Sequence, residues 1–290
     1  LLTAVFHGPS AAEFQASLDQ PQYEPQDRLI VKRRGRVLAH IHLTKRLIHF
    51  GTSQISIINL QDLATLPEHR GHGLAQSLLA EAERQSAAEN ALVATLQTRI
   101  PAFFQRSGWT LGERHSYSRA SARDILSYLG TVEEQRAPVL LGQSKPPLNI
   151  RLFRQVEQDA LMRLYQQNMS QAFGSLNRSE SYWRWLISRR GFDRIYVAID
   201  GPDKLELNET ASPIVGYAVT KQGRIVELHV VPGHTTVARQ LIARACSDAI
   251  EWDYHTVQLD AAPSDPLHQI FQSAGGECVC HEPDHDEVFM

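Results

Sequence analysis

Cysteine is scarce in this 290-residue chain, with three in all, at positions 246, 278 and 280. An odd number, two of them separated by a single residue, argues against a disulfide framework. Long hydrophobic runs are missing as well. No apolar stretch approaches the roughly 18 residues that a membrane-crossing helix needs. Neither sign of charge dominates: 29 Lys and Arg face 32 Asp and Glu, for a net −3. With no obviously basic face, the electrostatic footprint of a nucleic-acid binder is absent. No signal-peptide layout is present, and the opening Leu1-Leu2 lacks an initiator methionine, which reads as a trimmed or incomplete chain. These absences point to a cytoplasmic protein, and the length suits two domains of ordinary size.

What is present is concentrated in thirteen residues, Leu63-Ala64-Thr65-Leu66-Pro67-Glu68-His69-Arg70-Gly71-His72-Gly73-Leu74-Ala75. A β-branched and apolar run stops at a proline, and a glycine-containing turn follows. An amphipathic helix then carries apolar residues at Leu74, Ala75, Leu78, Leu79 and Ala82. Strand, turn and helix N-terminus bring free backbone N–H groups and a positive helix end to one spot, which suits a phosphate. Gly71 and Gly73 let a ligand approach the backbone, and Arg70 adds a formal charge. The turn is not a Walker A loop, because no Gly-Lys-Ser/Thr follows. Nor is it a dinucleotide fingerprint, since Gln76 stands where the third glycine belongs.

The unit recurs. Leu228 to His234 overlies Leu63 to His69 at an offset of 165 residues, Asp193 to Val197 overlies Asp27 to Val31 at 166, and Ile270 to Gly275 overlies Phe103 to Gly108 at 167. A repeat of this length means two copies of a domain. The following helix recurs too, with Val237, Ala238, Leu241, Ile242, Ala245 and Ala249 on one face. The second copy reads Thr235-Thr236-Val237-Ala238-Arg239-Gln240 where the first has Arg70 to Ala75. Val237 and Ala238 put side chains where a diphosphate needs bare backbone, and Thr235 and Thr236 read as helix caps. The second copy keeps the fold and loses the phosphate site.

Periodicity and turn residues predict the remaining elements. Ser10 to Asp19 reads as a helix with a capping box to Glu13. Arg28 to Val31 and Val37 to Thr44 form a hairpin around Arg34-Gly35-Arg36. Ser53 to Leu66 is the strand entering the loop, Leu92 to Leu96 the next strand, and Pro101 to Ser107 a short helix. Trp109 to Tyr117 extends as a strand, and Ala122 to Leu129 is a helix. Helices at Glu157 to Ala172 and Ser179 to Ser188 fall to the second domain, and Asp200 to Pro213 is a polar loop. Pro138, Gly142, Pro146 and Pro147 mark residues 131–149 as a linker, between a domain at 1–130 and a degenerate one at 150–290.

Arg70-x-x-Gly73-x-Ala75 resembles the pyrophosphate loop of the GCN5-related N-acetyltransferase (GNAT) superfamily. The tandem layout, with Tyr182-Trp183-Arg184-Trp185 and Leu228 to Pro232 in the second copy, looks like the Eis-type (enhanced intracellular survival) acetyltransferases without their sterol-carrier-like third domain. The resemblance implies an α/β fold of two acyl-CoA N-acyltransferase domains, each a mixed, mostly antiparallel sheet flanked by helices. It implies acetyl-CoA as cosubstrate, no metal, and direct transfer to a primary amine of a small cationic acceptor, polyamine- or aminoglycoside-like. No nucleic acid or membrane partner is implied, and self-association is left open. Leu63, Ala64 and Thr65 would pair with the pantetheine arm, with the Leu63 N–H at the thioester carbonyl. Arg70, Gly71, His72, Gly73, Leu74 and Ala75 would hold the pyrophosphate, and Phe103 and Phe104 would lie beside the sulfur.

The chain departs from that family in two respects. The terminal carboxylate that the resemblance implies as base comes from the third domain of Eis-type members and is missing here. Phe104 occupies the place of the tyrosine that usually protonates the thiolate, and a phenyl ring has no proton to give. Tyr117, from the neighbouring strand, is the candidate replacement, the alternative being a half-buried strand tyrosine. Asp62 borders the loop strand and is in place to relay a proton through water, or to be a solvated strand-end carboxylate. A non-catalytic acyl-CoA-binding or sensing role is the other function compatible with Phe104. His40 and His42 share a strand face and invite a metal reading, but lack carboxylate or cysteine partners at zinc spacing. Cys278-x-Cys280-His281 with Asp284-His285-Asp286 matches no zinc pattern and reads as a strand followed by a polar tail. Tyr182, Trp183 and Trp185 sit at helical spacing, either lining a substrate wall or packing under a sheet.

Overall fold

A computed structural model describes residues 1–7, 10–112, 116–136, 148–170, 172–189, 191–201, 213–280 and 288–290. In the N-terminal half, α1 (Leu2–Val5) and α2 (Ala11–Ala16) precede β1 (Arg28–Arg33), β2 (Arg36–Phe50) and β3 (Ser53–Thr65). Then come α3 (Leu74–Ala88), β4 (Val93–Thr98), α4 (Pro101–Gln105), β5 (Ser116–Ser121) and α5 (Ala122–Arg136). The C-terminal half begins with β6 (Asn149–Leu152), α6 (Gln158–Met169), α7 (Glu180–Ser188) and β7 (Arg194–Ile199). It continues through β8 (Ile214–Lys221), β9 (Arg224–Val230), α8 (Thr235–Glu251) and β10 (Thr256–Ala261). The last elements are α9 (His268–Ser273), β11 (Glu277–Cys280) and β12 (Val288–Phe289).

Local signals explain most boundaries. Ser10 and Glu13 exchange side-chain and backbone hydrogen bonds at the start of α2, a complete capping box. Arg34 and Gly35, both at positive φ, make the two-residue turn that lets β1 and β2 pair with their native twist. Ala39, Ile41 and Leu43 alternate toward the core, where they meet Leu78 and Leu79 of α3.

Two sheets result, one ordered β1-β2-β3-β4-β12 and the other β11-β5-β10-β9-β8-β7-β6. In the first, β1, β2 and β3 are antiparallel and β3 runs parallel to β4 through the crossover helix α3. In the second, β7, β8 and β9 are antiparallel and β9 runs parallel to β10 through α8. The internal repeat is therefore real at the level of topology: β7, β9, α8 and α9 occupy the places of β1, β3, α3 and α4. Each sheet has its own core, the second built around Tyr196, Ile225, Leu241 and Phe271.

The chain is divided between these sheets in a way that the linear reading does not anticipate. One unit contains Leu1–Glu113, Met169–Arg189 and Pro283–Met290, and the other contains Arg114–Asn168 and Arg190–Glu282. β5 and α5, expected in the first domain, build the second unit, where β5 is inserted between β10 and β11. α7, expected in the second domain, belongs to the first unit: the Trp185 Nε1 donates to the Ala16 carbonyl at 3.3 Å. Just before it, residues 174–177 hydrogen-bond along β2 at Leu47 and His49. β12 closes the first sheet against β4. Of the strand expected at Trp109 to Tyr117, residues 109–112 are in no strand, residues 113–115 lie outside the described residues, and Ser116 and Tyr117 open β5; residues 131–136 of the expected linker are helical, since α5 runs on to Arg136. Residues 137–147 of the expected linker and 202–212 of the polar loop lie outside the described residues. No helix of the described residues is long and apolar enough to cross a membrane.

Candidate functional site

The parallel ladder between β3 and β4 runs from Ile57–Val93 to Leu60–Leu96 and stops there, while β3 continues to Thr65. A bulge interrupts β3 beyond that point. Between the pairs His40–Ala64 and His42–Gln61, β2 has one residue and β3 has two, Asp62 and Leu63. Asp62 absorbs the extra residue with φ of +53°, a left-handed conformation uncommon for non-glycine residues. The backbone of Leu63, Ala64 and Thr65 thus continues past the end of the ladder on the side of β4, as an edge able to accept another strand.

Beyond Thr65 the chain makes one 3₁₀ turn at Pro67–His69 and reaches the glycine loop. Gly71 and Gly73 have φ of +78° and +74°, and a Cβ added to either would meet nothing within 4 Å. Glycine is required here by the backbone, and the space above it is open. Gly73 is the N-cap of α3, with no side-chain acceptor, and the first turn contains no acidic residue. The N–H groups of Leu74, Ala75 and Gln76 precede the first intrahelical bond, from Ser77 N to Gly73 O. Arg70 is exposed and donates from Nε to the Thr65 carbonyl at 3.3 Å, tying the loop back to the strand. The His72 Nδ1 lies 2.8 Å from the Arg70 carbonyl and 3.3 Å from that of His69, so Nδ1 is the protonated nitrogen. Donors without acids, bare glycines and one arginine fit a diphosphate.

Around the bulge stands a polar group that the sequence reading did not assemble. The His40 Nδ1 lies 3.0 Å from the Asp62 carbonyl oxygen, and its Nε2 lies 3.0 Å from the Arg28 Nη1. Arg28 also donates from Nη2 to the Ser17 Oγ at 2.8 Å, and Ser17 donates to the Phe14 carbonyl. Burial lowers the His40 pKa; the bond to the Asp62 backbone opposes this and the Arg28 charge reinforces it. Burial raises the Asp62 carboxyl above its ordinary range, against the pull of His40 and Arg28. The signal available in the sequence was the His40/His42 pair, but its partner is a backbone carbonyl on another strand. Among the described residues no cluster of three His, Cys, Asp or Glu is disposed to hold a metal. Cys278 and Cys280 lie on β11, while residues 281–286 of that motif fall outside the described residues.

The expected sulfur-end aromatics, Phe103 and Phe104, lie on α4, directly after β4. Phe104 is 5% exposed and belongs to the core with Leu78 and Leu79, stacked edge-on to Phe103 and Trp109. Trp109 is fixed by its Nε1 donating to the Glu83 Oε1 at 2.8 Å. Tyr117 lies on β5, opposite Asp260 of β10 and Val279 of β11 in the second sheet. The neighbour of β4 is β12, with reciprocal bonds between Leu96 and Met290, so no phenol comes from the adjacent strand of this sheet. Of the aromatic run in α7, Trp183 is buried, and Tyr182 stacks under the Arg46 guanidinium 5.3 Å away.

The second unit has filled the corresponding places. Val237 and Ala238 are buried, and the N-cap of α8 is His234 rather than either threonine, without a side-chain cap bond. Gly216 of β8 packs so closely beneath that a Cβ would come within 2.8 Å of the Val237 Cγ1. Where the first copy has Asp62 and Ala64, the second has Glu227 and His229. Glu227 accepts from the Tyr217 hydroxyl, and the His229 ring packs between Tyr165 and Tyr217 at 5.4 Å from each.

Residues 1–112 match the family model of the acetyltransferase (GNAT) domain. No curated protein matches the chain. Among solved structures, a probable N-acyltransferase from Enterococcus faecalis V583 is 12% identical with a TM-score of 0.72, over 100% of this chain and 68% of that one. Eis1 from Mycobacterium abscessus is 15% identical with a TM-score of 0.60, over 99% of this chain and 68% of Eis1. A tandem GNAT protein from the clavulanic acid biosynthesis pathway is 14% identical with a TM-score of 0.54, over 99% of this chain and 91% of that one. The family match is confined to residues 1–112, and the chain as a whole shares the fold of the tandem GNAT structures.

Proposed function

We propose that the first unit binds acetyl-CoA and that the protein transfers its acetyl group directly to a primary amine of a small cationic acceptor, polyamine- or aminoglycoside-like. One observation carries this reading: a bulged strand outlasts its parallel ladder and runs straight into an acid-free, glycine-opened helix N-terminus. The pantetheine arm pairs with Leu63, Ala64 and Thr65 as an added strand. The N–H groups from Gly71 to Ala75, with Arg70 and His72 beside them, receive the diphosphate. The Leu63 N–H faces the thioester oxygen, where negative charge grows during attack.

The acceptor arrives as an ammonium and must lose a proton before it attacks. Asp62, with its carboxyl raised by burial, takes that proton through water. The C–N bond then forms as the C–S bond breaks. The remaining excess proton on nitrogen passes to the departing thiolate, which needs no phenol at Phe104. Calorimetric titration with acetyl-CoA tests the binding half: the native chain gives a saturable signal, and Gly73→Asp gives none, because it adds a carboxylate and a Cβ where the diphosphate rests. A thiol-release assay over a panel of amines tests the transfer half. Binding with silence toward every amine would favour a second reading, a non-catalytic acyl-CoA-binding module, to which the core position of Phe104 lends support.

A further inference from the structure

The Asp62 carbonyl and the Leu63 N–H belong to one peptide unit, which is planar and trans, so its C=O and N–H point in opposite directions. Whatever fixes the carbonyl fixes the amide hydrogen. The carbonyl is fixed by His40, whose Nδ1 lies 3.0 Å from it. The tautomer is not free to vary: an arginine can only donate, so the His40 Nε2, 3.0 Å from the Arg28 Nη1, is the acceptor and Nδ1 bears the hydrogen. Arg28 is itself held by Ser17, which is held by the Phe14 carbonyl. His40 is 5% exposed, so water does not compete freely for these bonds.

We propose that His40 is a positioning residue: clamped by Arg28, it holds the bulge peptide so that the Leu63 N–H is aimed and polarised toward the thioester carbonyl. The clamp braces a bulge at which Asp62 sits at φ of +53°, a left-handed conformation uncommon outside glycine. A hydrogen bond accepted by the carbonyl also strengthens the N–H of the same peptide as a donor, and the Arg28 charge behind the ring adds to that polarisation. The inference rests on the acyltransferase reading given above and assigns to His40, Arg28 and Ser17 one line of force ending at Leu63.

The test uses the full chain with [1-¹³C]acetyl-CoA and two variants, His40→Phe, which keeps the ring and loses both nitrogens, and Arg28→Met. The bound carbonyl resonance in the wild type lies downfield of the free thioester, reporting its hydrogen bond. In both variants acetyl-CoA affinity stays within about twofold, since the glycine loop is untouched, while the downfield shift is lost. Amide exchange across Asp62 to Ala64 becomes about tenfold faster. His40→Gln, whose amide can accept from Arg28 and donate to the carbonyl, restores part of the shift. A shift and an exchange pattern that survive His40→Phe overturn the clamp and leave the acyltransferase reading standing. A wild-type chain that does not bind acetyl-CoA overturns that reading and the clamp's catalytic role with it.

Discussion

His42, two residues along the strand from His40, differs from it in having nothing to hold. It is 1% exposed, its Nδ1 has no hydrogen-bond partner among the described residues, and the Tyr23 ring meets it edge-on at 5.7 Å. Burial, reinforced by the charges of Arg28, His40 and Arg46, drives its pKa from 6.5 down to about 4. The unfolded chain therefore binds this proton through the whole window between those values and the folded chain does not. Where the unfolded state holds more protons, stability rises with pH, so acid works against the fold between pH 6.5 and 4. The whole shift corresponds to an upper limit of about 3 kcal/mol. His42→Phe, which cannot titrate, should flatten that part of the curve, as read by urea midpoints at neutral and acidic pH. An equal acid loss in both proteins would remove His42 as its source. Sequence alone marked this strand face but gave its two histidines one reading; only the bulge separates a held ring from an unheld one.

At the scale of elements, α3 and α8 are the same helix put to different uses. Both carry their apolar stripe at helical spacing, and the stripe was readable because it is a local pattern. The capping box at Ser10, the hairpin at Gly35 and the glycine loop were legible for the same reason: each is settled within a few residues. α8 has exchanged an open N-terminus for tight seating, with Val237 and Leu241 pressed on Gly216. The counterpart position in the first sheet is Ala39, which pairs with Thr65 as Gly216 pairs with Val230. Gly216→Ala places a Cβ 2.8 Å from the Val237 Cγ1 and 2.9 Å from the Val230 Cγ1, closer than real side chains approach. It should cost about 1–3 kcal/mol of stability, and Val237→Ala in the same chain should recover part of that. Denaturant titration of the single and double variants reads both effects. A neutral Gly216→Ala would mean that α8 is free to lift, and that the second unit is not sealed by this contact.

The whole molecule is where sequence reading stopped. Pairing of β5 with β10 and β11, and of β12 with β4, joins segments more than a hundred residues apart, and no local periodicity encodes such partners. The proline-rich stretch after residue 136 looked like a boundary because composition marks where a chain turns, not which core the flanking elements enter. Each half of the chain instead supplies strands and helices to the unit formed mainly by the other. The consequence is testable by cutting. A fragment of residues 1–136 keeps β5 and α5, exposing Ala120, Ile125 and Leu129 that belong to the second core, and it lacks the 169–189 segment and β12. A fragment of residues 148–290 loses β5 from between β10 and β11, leaving β11 with no strand to pair with. Each fragment expressed alone should aggregate or remain unfolded, since an unpaired strand edge and an uncovered apolar face favour association over solution. Expressed together they should recover a one-to-one complex whose circular dichroism and acetyl-CoA titration match the uncut chain. A monomeric fragment 1–136 that unfolds cooperatively by itself would show that the exchange of elements is dispensable, and that the first unit is an independent domain after all.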